Sequence, residues 1–293
     1  MEDFLEQAWR LVLRREPDPA AAERLRTGQV SRARLIRELV ESREFEQIEL
    51  LDDGLALALR ERVRHGRPRE LHAPAWSDER AIEIPWCLAR YHGERRVLDV
   101  GTANAIPAYV DGLRALGAPE LVTVDLAQPA DVIADVRRLP FPDRSFDLVF
   151  CVSTLEHIGL DNLIYGGAAA HDEAGQADAL AELLRILGNR GRLLVTVPTG
   201  EREDHGWHLQ RTPLEWIDLF ESAGFLVYED ELYLLTAEGW RAATITEAGE
   251  AHYGGDHAGA VLLAELRPAG LSQRLRLAVR DALHRNEPRR VRA

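Results

Sequence analysis

A glycine turn and an acidic residue stand at the ends of two successive predicted strands. The apolar run 97–100 leads into Gly101, and a second apolar run ends on Asp125, 24 residues later. A glycine at a strand end lets the backbone approach a ligand closely, and a carboxylate at the next strand tip can accept hydrogen bonds from ribose hydroxyls. This spacing predicts a site for an adenosine group.

The spacing alone leaves open whether the adenosine belongs to NAD or to S-adenosylmethionine (SAM). Ala103 and Ala105 occupy the positions of the second and third glycines of a dinucleotide loop. Those glycines let the backbone and a helix N-terminus approach a pyrophosphate. The alanines therefore count against an NAD-dependent oxidoreductase, for which the sequence also offers no recognisable hydride-transfer residues.

Two motifs downstream of Asp125 carry a family resemblance. Asp135 precedes the segment LPFPDRSFDLVF at 139–150, and TLEHI follows at 154–158. With the glycine turn, they resemble the class I SAM-dependent methyltransferases, in particular the methyltransferase-domain group, over residues 79–268. The resemblance implies an α/β fold with a doubly wound, seven-stranded, Rossmann-like sheet, and SAM as cofactor.

The resemblance also implies roles for individual residues. The Gly101 loop would receive the methionine part of SAM, and Asp125 would hold the ribose hydroxyls. Asp135 and its neighbour Val136 would contact the edge of the adenine ring. Residues 153–157 would line the pocket near the sulfonium. Asp99 has an alternative role as a structural carboxylate that caps loop amides. The implied SAM-binding residues are Asp99, Gly101, Asp125, Asp135, Val136 and Ser153.

Three histidines are candidates for the proton acceptor of the reaction. Methyl transfer depends mainly on alignment, but an oxygen or nitrogen acceptor usually also needs a base. His205 and His208 follow a predicted strand at the edge of the sheet where α/β proteins bind ligands. His157 is the third candidate, with pocket shaping as its alternative role. Asp161 or Asp204 would orient the base.

A metal site built from the histidines and acids of these loops is a weaker hypothesis. Their spacings match no zinc or non-haem iron signature, so no metal is predicted. Residues 161–172 are instead predicted to form a lid over the acceptor. The rings of Tyr165, Trp207 and Trp240 could bind a sugar or an aromatic acceptor, or could equally belong to the core.

Alternating helices and strands must position these residues. Thr212 to Glu215 has the sequence of a capping box, with a proline at the first helical position. A second helix is predicted at 174–187, followed by a turn at 188–191. The predicted strands are 96–100, 121–125, 131–134, 146–152, 192–197, 226–235 and 260–266.

The chain is predicted to have four parts. Residues 1–46 form a small all-α domain, in which Ser31 caps a helix that ends near Phe45. This part resembles a helical domain found beside bacterial glycosyltransferases. The other parts are a connecting helix and linker at 47–76, the methyltransferase domain at 77–268 and a basic tail at 269–293. The tail could form a weak amphipathic helix on a membrane surface, or be a solvated terminus.

Composition narrows the class of protein. The net charge of −13 disfavours a nucleic-acid substrate, and all basic residues are arginine, which excludes lysine-based chemistry. No apolar run is long enough to span a membrane, and the acidic start is not a signal peptide. Cys87 and Cys151 lie in apolar stretches and are predicted to be buried, reduced thiols of a cytoplasmic protein.

The sequence predicts a SAM-dependent methyltransferase with a small-molecule or glycan-linked acceptor, methylated at oxygen or nitrogen. The alternative is a catalytically silent protein of the same fold that acts as a binding scaffold. The altered glycine loop and the N-terminal helices motivate this alternative. The presence of Asp99, Asp125 and Asp135 at ligand positions counts against it.

Overall fold

An eight-stranded mixed sheet forms the centre of the molecule, in the order β3-β2-β1-β4-β5-β10-β8-β9. The first five strands of this order are parallel, while β10 runs antiparallel to both β5 and β8. The strands are β1 Arg96–Val100, β2 Glu120–Asp125, β3 Val132–Ile133, β4 Phe146–Val152, β5 Leu187–Thr199, β8 Phe225–Thr236, β9 Gly239–Ala242 and β10 Ala260–Pro268. A separate hairpin pairs β6 Glu203–Asp204 with β7 Leu209–Gln210.

Helices cover both faces of the sheet. The structure is a computed structural model that describes residues 7–10, 12–14, 17, 19–65, 71–103, 105–161, 163, 171–255 and 257–270. Its helices are α1 Pro19–Arg26, α2 Arg32–Val40, α3 Arg43–His65, α4 Arg80–Leu88, α5 Pro107–Ala115, α6 Gly175–Ile186, α7 Pro213–Ser222 and α8 Ile245–Gly249. Within this part of the chain, no helix is long and apolar enough to cross a membrane.

The predicted fold class is confirmed, with one strand more than the seven expected. The additional strand is β9, which pairs antiparallel with β8 at the sheet edge. Its four residues are too few to show a period of two, so this strand could not be predicted from the sequence pattern. The turn predicted at 188–191 is a register shift inside β5, because Phe146 pairs with Leu187 and Leu148 pairs with Arg192.

The cap predictions are confirmed, but the predicted end of one N-terminal helix is wrong. Thr212 and Glu215 form both hydrogen bonds of a capping box, and Ser31 Oγ accepts from Arg34 N. The helix that follows Ser31 ends at Val40 instead of near Phe45. Ser42 Oγ accepts a hydrogen bond from Phe45 N at 3.2 Å and begins the next helix, α3.

The N-terminal helices share one hydrophobic core with a face of the sheet. Leu35 and Leu51 from these helices belong to the same buried cluster as Trp86 on α4 and Phe150 on β4. Residues 81–88 of α4 are all buried, because α4 lies between α3 and the sheet. The opposite face packs against α6 and α7. Helix α4 thus has no solvent-facing side beyond its first residue.

Candidate active site

A cavity of about 300 Å³ opens at the carboxyl ends of β1, β2 and β4. Parallel strands present these ends at one edge of the sheet, which is where α/β folds bind ligands. Residues that follow each strand line the cavity, together with Arg80 at the start of α4. The volume lies at the lower end of the range for small-molecule sites.

Gly101 forms the turn that follows β1 and lines the cavity. Its φ of +93° lies in the left-handed region that glycine adopts without steric strain. A Cβ atom here would stand 2.0 Å from Thr154 Oγ1, at the end of β4. The absence of a side chain therefore lets the ends of β1 and β4 come together at the cavity.

Asp125 ends β2 and also lines the cavity. Its Oδ2 accepts a hydrogen bond from Ala103 N at 2.8 Å, and its Oδ1 accepts one from Ala127 N at 3.3 Å. Ala103 thus offers Asp125 the same backbone donor that a glycine would offer. Because each ionised carboxylate oxygen can accept more than one hydrogen bond, Asp125 keeps acceptor capacity for a ligand.

Asp135 and Val136 line the cavity beside Asp125. Arg137, which the sequence interpretation missed, donates from Nη2 to Asp135 Oδ2 at 2.6 Å and from Nη1 to Asp172 Oδ2 at 2.8 Å. Hydrogen bonds from Arg137 hold the pKa of Asp135 below its ordinary value. The Asp135 carboxylate is therefore ionised and held in one orientation by its neighbour.

Asp99 lies beneath the glycine turn and is not among the described residues that line the cavity. Its carboxylate accepts hydrogen bonds from the hydroxyls of Thr102 and Tyr109. Burial raises the pKa of Asp99 to about 6. Asp99 thus contacts the loop through the Thr102 hydroxyl, whereas the alternative role predicted contacts with loop amides.

Ser153 follows β4 and lines the cavity with an unusual backbone conformation. Its φ is +41°, and its N–H donates to Thr196 O at 3.1 Å. Ser153 Oγ lies 2.8 Å from Glu83 Oε1 and accepts a hydrogen bond from Arg80 Nη1 at 3.0 Å. Sequence interpretation missed both Arg80 and Glu83, although a single acid inside the apolar helix α4 was a usable signal.

The three predicted histidines lie close together, but only His157 lines the cavity. The His157 and His208 ring centroids are 6.0 Å apart, and the His205 and His208 rings stack at 4.4 Å. His157 Nδ1 lies 2.9 Å from Trp207 O, so Nδ1 carries the hydrogen. Burial lowers the pKa of both His157 and His208 to about 4, so both are neutral at pH 7.

The carboxylates beside these histidines differ from those predicted to orient them. Glu203 Oε2 lies 3.0 Å from His205 Nε2, whereas Asp204 accepts from Gly206 N and Asp161 accepts from Leu163 N. Both ring nitrogens of His208 are buried without a hydrogen-bond partner among the described residues.

The remaining predictions about this region have mixed outcomes. Trp207 stacks on His157 at 5.2 Å, while Trp240 is buried in the core. Tyr165 and most of the predicted lid, residues 164–170, lie outside the described residues, as does the tail 271–293. Among the residues that the structure does describe, no group of three or more His, Cys, Asp or Glu could hold a metal ion.

Comparison with known proteins assigns the central part of the chain. Residues 98–195 match the family model for a methyltransferase domain. The chain contains a methyltransferase domain. This match confirms the predicted methyltransferase domain, with SAM as its cofactor. The matched residues include Gly101, Asp125, Asp135 and Ser153, whose roles remain predictions.

Individual relatives of the methyltransferase domain are distant. An uncharacterized protein of Methanocaldococcus jannaschii is 33% identical over 110 residues, which cover 36% of this chain and 41% of that protein. The solved structures include the 1,6-didemethyltoxoflavin-N1-methyltransferase of Burkholderia thailandensis with bound S-adenosylhomocysteine (SAH), at 16% identity and a TM-score of 0.44, covering 78% of this chain and 90% of that one. They also include the CcbJ methyltransferase of Streptomyces caelestis, at 15% identity and a TM-score of 0.40, covering 63% and 87%.

Proposed function

We propose that this chain binds SAM in the cavity and catalyses methylation of an oxygen or nitrogen atom on a small-molecule or glycan-linked acceptor. The observation that carries the proposal is the pairing of Gly101 and Asp125 at adjacent strand ends on one cavity. A positive-φ glycine beside a strand-end carboxylate is the arrangement that an adenosine site requires.

The residues on the cavity fit SAM. Asp125 would hold the ribose hydroxyls, because both of its oxygens have acceptor capacity left after their backbone contacts. The Gly101 turn would receive the methionine part, and Val136 with Asp135 would meet the adenine edge. When bound, SAM supplies a methyl group that its sulfonium makes electrophilic.

The chain's own contribution to the reaction is mainly alignment of the acceptor. Holding two reacting groups about 3 Å apart in line provides most of the available acceleration. His157 is well placed to contact the acceptor, since it lines the cavity and is fixed by Trp207 O. His205 and His208 support this wall from behind. The buried free thiols Cys87 and Cys151 favour a reducing, cytoplasmic setting.

Calorimetric titration with SAH tests the proposal. We expect the wild-type chain to bind SAH and Asp125→Ala to bind it about 10- to 100-fold more weakly, because a charged hydrogen-bond partner contributes about 1.5–3 kcal/mol. Glu120→Ala is the matched control, since Glu120 begins the same strand and pairs with Arg95. Equal affinity of Asp125→Ala and the wild type would remove the site assignment.

Turnover is then measured with tritiated SAM and a panel of phenols, primary amines and sugars. Transfer of label to any of these acceptors supports the proposed activity. If SAH binds tightly and the whole panel stays unlabelled under conditions that maintain the fold, the catalytically silent alternative is favoured.

A further inference from the structure

A serine, a glutamate and an arginine form a hydrogen-bonded triad at the cavity, where α4 meets the end of β4. Ser153 Oγ lies 2.8 and 2.9 Å from the two carboxylate oxygens of Glu83. Arg80 Nη1 donates to Ser153 Oγ at 3.0 Å and to Glu83 Oε2 at 3.2 Å. Ser153 and Arg80 line the cavity, whereas Glu83 lies fully buried behind them.

The hydrogen-bonding capacity of Ser153 leaves one position for a ligand. A serine hydroxyl has one hydrogen to donate and two lone pairs to accept with. The Glu83 carboxylate can only accept from it when ionised, so the Ser153 hydrogen points to Glu83. Arg80 can only donate, so it occupies one lone pair of Ser153 Oγ. No other described residue donates to the second lone pair, which therefore remains for a donor in the cavity.

The position of Glu83 is unusual for a carboxylate. It is the one acid within α4, where every residue from 81 to 88 is buried. Burying an ionised carboxylate is costly unless charge and hydrogen bonds compensate. Ser153 supplies such a hydrogen bond from a strained, positive-φ conformation, and non-glycine residues in this region cluster at functional sites.

The charged and titratable groups facing Glu83 lie on its own helix, just before that helix and on a neighbouring 3₁₀ turn. Arg80 and Cys87 lie on its own helix, Glu79 precedes that helix, and Glu156 faces it from the 3₁₀ turn at Leu155–His157. Burial raises the pKa of Glu83 to about 7, although Arg80 opposes this shift. Burial also raises the pKa of Glu156 well above its usual range.

We propose that Ser153 and Glu83 form the proton acceptor of the methyl transfer, with Arg80 as the residue that positions both. This inference rests on the proposed function. The acceptor atom forms a bond to the methyl carbon while the carbon–sulfur bond breaks, and sulfur keeps that electron pair. The acceptor's proton moves to Ser153 Oγ, whose own hydroxyl proton moves to the Glu83 carboxylate. Glu83 ends the step neutral and releases the proton after the product leaves.

The first test follows the ionisation of Glu83 directly, in the full chain without any ligand. Protein labelled with [5-¹³C]glutamate is titrated by NMR, and the resonance absent from Glu83→Gln is assigned to Glu83. We expect this resonance to titrate near pH 7. Ser153→Ala should raise its midpoint, because the ionised carboxylate loses a donor. A resonance that stays ionised from pH 5 to 9, or that Ser153→Ala leaves unmoved, overturns the proposal.

The second test measures rates with the acceptor that the turnover panel identifies. We expect Glu83→Gln to lower kcat about 100-fold with little change in KM, within the usual contribution of a general base. The wild-type kcat should rise with pH near 7, and this rise should be absent from Glu83→Gln. Glu265→Gln is the matched control. Glu265 is also a buried glutamate paired with an arginine, since its Oε2 lies 3.1 Å from Arg192 Nη1, but it is not among the residues that line the cavity. An unchanged pH profile in Glu83→Gln contradicts the proposal.

Calorimetry separates failure of this proposal from failure of the proposed function. Glu83→Gln should bind SAH as the wild type does, since Glu83 does not line the cavity. Failure of the wild-type chain to bind SAH would refute the proposed function. The NMR titration would still decide whether Glu83 exchanges a proton with its surroundings.

Discussion

The two walls of the cavity hold carboxylates in opposite electrostatic environments. On the wall formed by the ends of β1 and β2, Asp125 bonds to backbone N–H groups and Asp135 is paired with Arg137, which lowers its pKa. On the wall formed by α4 and the end of β4, Glu83 and Glu156 are buried, and burial raises the pKa of each. Arg137 favours the ionised form of Asp135, whereas burial favours the protonated forms of Glu83 and Glu156. The difference separates ligand binding from proton transfer within one cavity.

The largest expected effect tests the turn that joins the two walls. Gly101→Ala places a Cβ 2.0 Å from Thr154 Oγ1 at a φ of +93°, so the ends of β1 and β4 must separate. We expect SAH affinity to fall more than about 100-fold and the free energy of unfolding to fall by about 2–4 kcal/mol. Calorimetry and urea denaturation measure these quantities.

Gly117→Ala is the control for backbone conformation alone. Gly117 has a φ of +65° but no atom within 4 Å of the position of a Cβ. This substitution should lower stability by about 1 kcal/mol and leave SAH affinity unchanged. Equal loss of affinity in the two variants would show that contact between the walls does not determine binding.

A second prediction uses pH to test the burial of His208, whose ring packs against His157. The pKa of His208 is about 4 in the folded chain and about 6.5 when unfolded. Between these values the unfolded chain binds more protons, so stability is full above pH 6.5 and falls as pH falls. From pH 8 to pH 5 this histidine should remove about 2 kcal/mol from the free energy of unfolding. His208→Phe should reduce the measured drop by that amount.

His252→Gln is the control for this pH dependence. His252 is exposed, and its pKa is raised by a hydrogen bond to Glu203. Its contribution has the opposite sign, because the folded chain holds this proton more tightly and stability is lost as pH rises. The drop toward pH 5 should therefore persist in His252→Gln. A drop that is also unchanged in His208→Phe would show that His208 titrates normally.

The smallest expected effect concerns orientation on the first wall. Arg137→Ala removes the guanidinium that holds Asp135 and contacts Asp172. We expect SAH affinity to fall about 3- to 10-fold, because Asp135 must then be ordered when the ligand binds. Arg138→Ala, at the next position, should leave the affinity unchanged. Tighter SAH binding by Arg137→Ala would instead show that Arg137 competes with the ligand for Asp135.

The first wall could be predicted from sequence because its residues belong to strand ends. The positions of Gly101 and Asp125 follow from where two adjacent strands stop, and parallel strands stop at one edge. The second wall could not be predicted in this way. Glu83 reaches Ser153 only because α4 packs over the end of β4, and the two residues are 70 positions apart. A local sequence pattern cannot reveal a contact between residues so far apart in the chain.

The location of the three histidines could be predicted from the sequence, but their protonation could not. The sequence correctly suggested a loop near the carboxyl edge of the sheet, and His157, His205 and His208 do lie together there. Their protonation could not be predicted, because it depends on how deeply the β6–β7 hairpin buries the rings. A ring pKa of about 4 is a tertiary property, set by neighbours that the local sequence does not specify.

The burial of α4 on all sides limits how this chain can be divided. Gly54 of α3 faces Pro85 closely enough that a Cβ there would contact the proline ring at 3.0 Å. Removing the N-terminal helices would expose Ala81 and Pro85 to water and loosen the element that begins at Arg80. We therefore expect the N-terminal helices and the sheet to fold as one unit. A chimera joined before residue 77 would need another element to cover the outer face of α4.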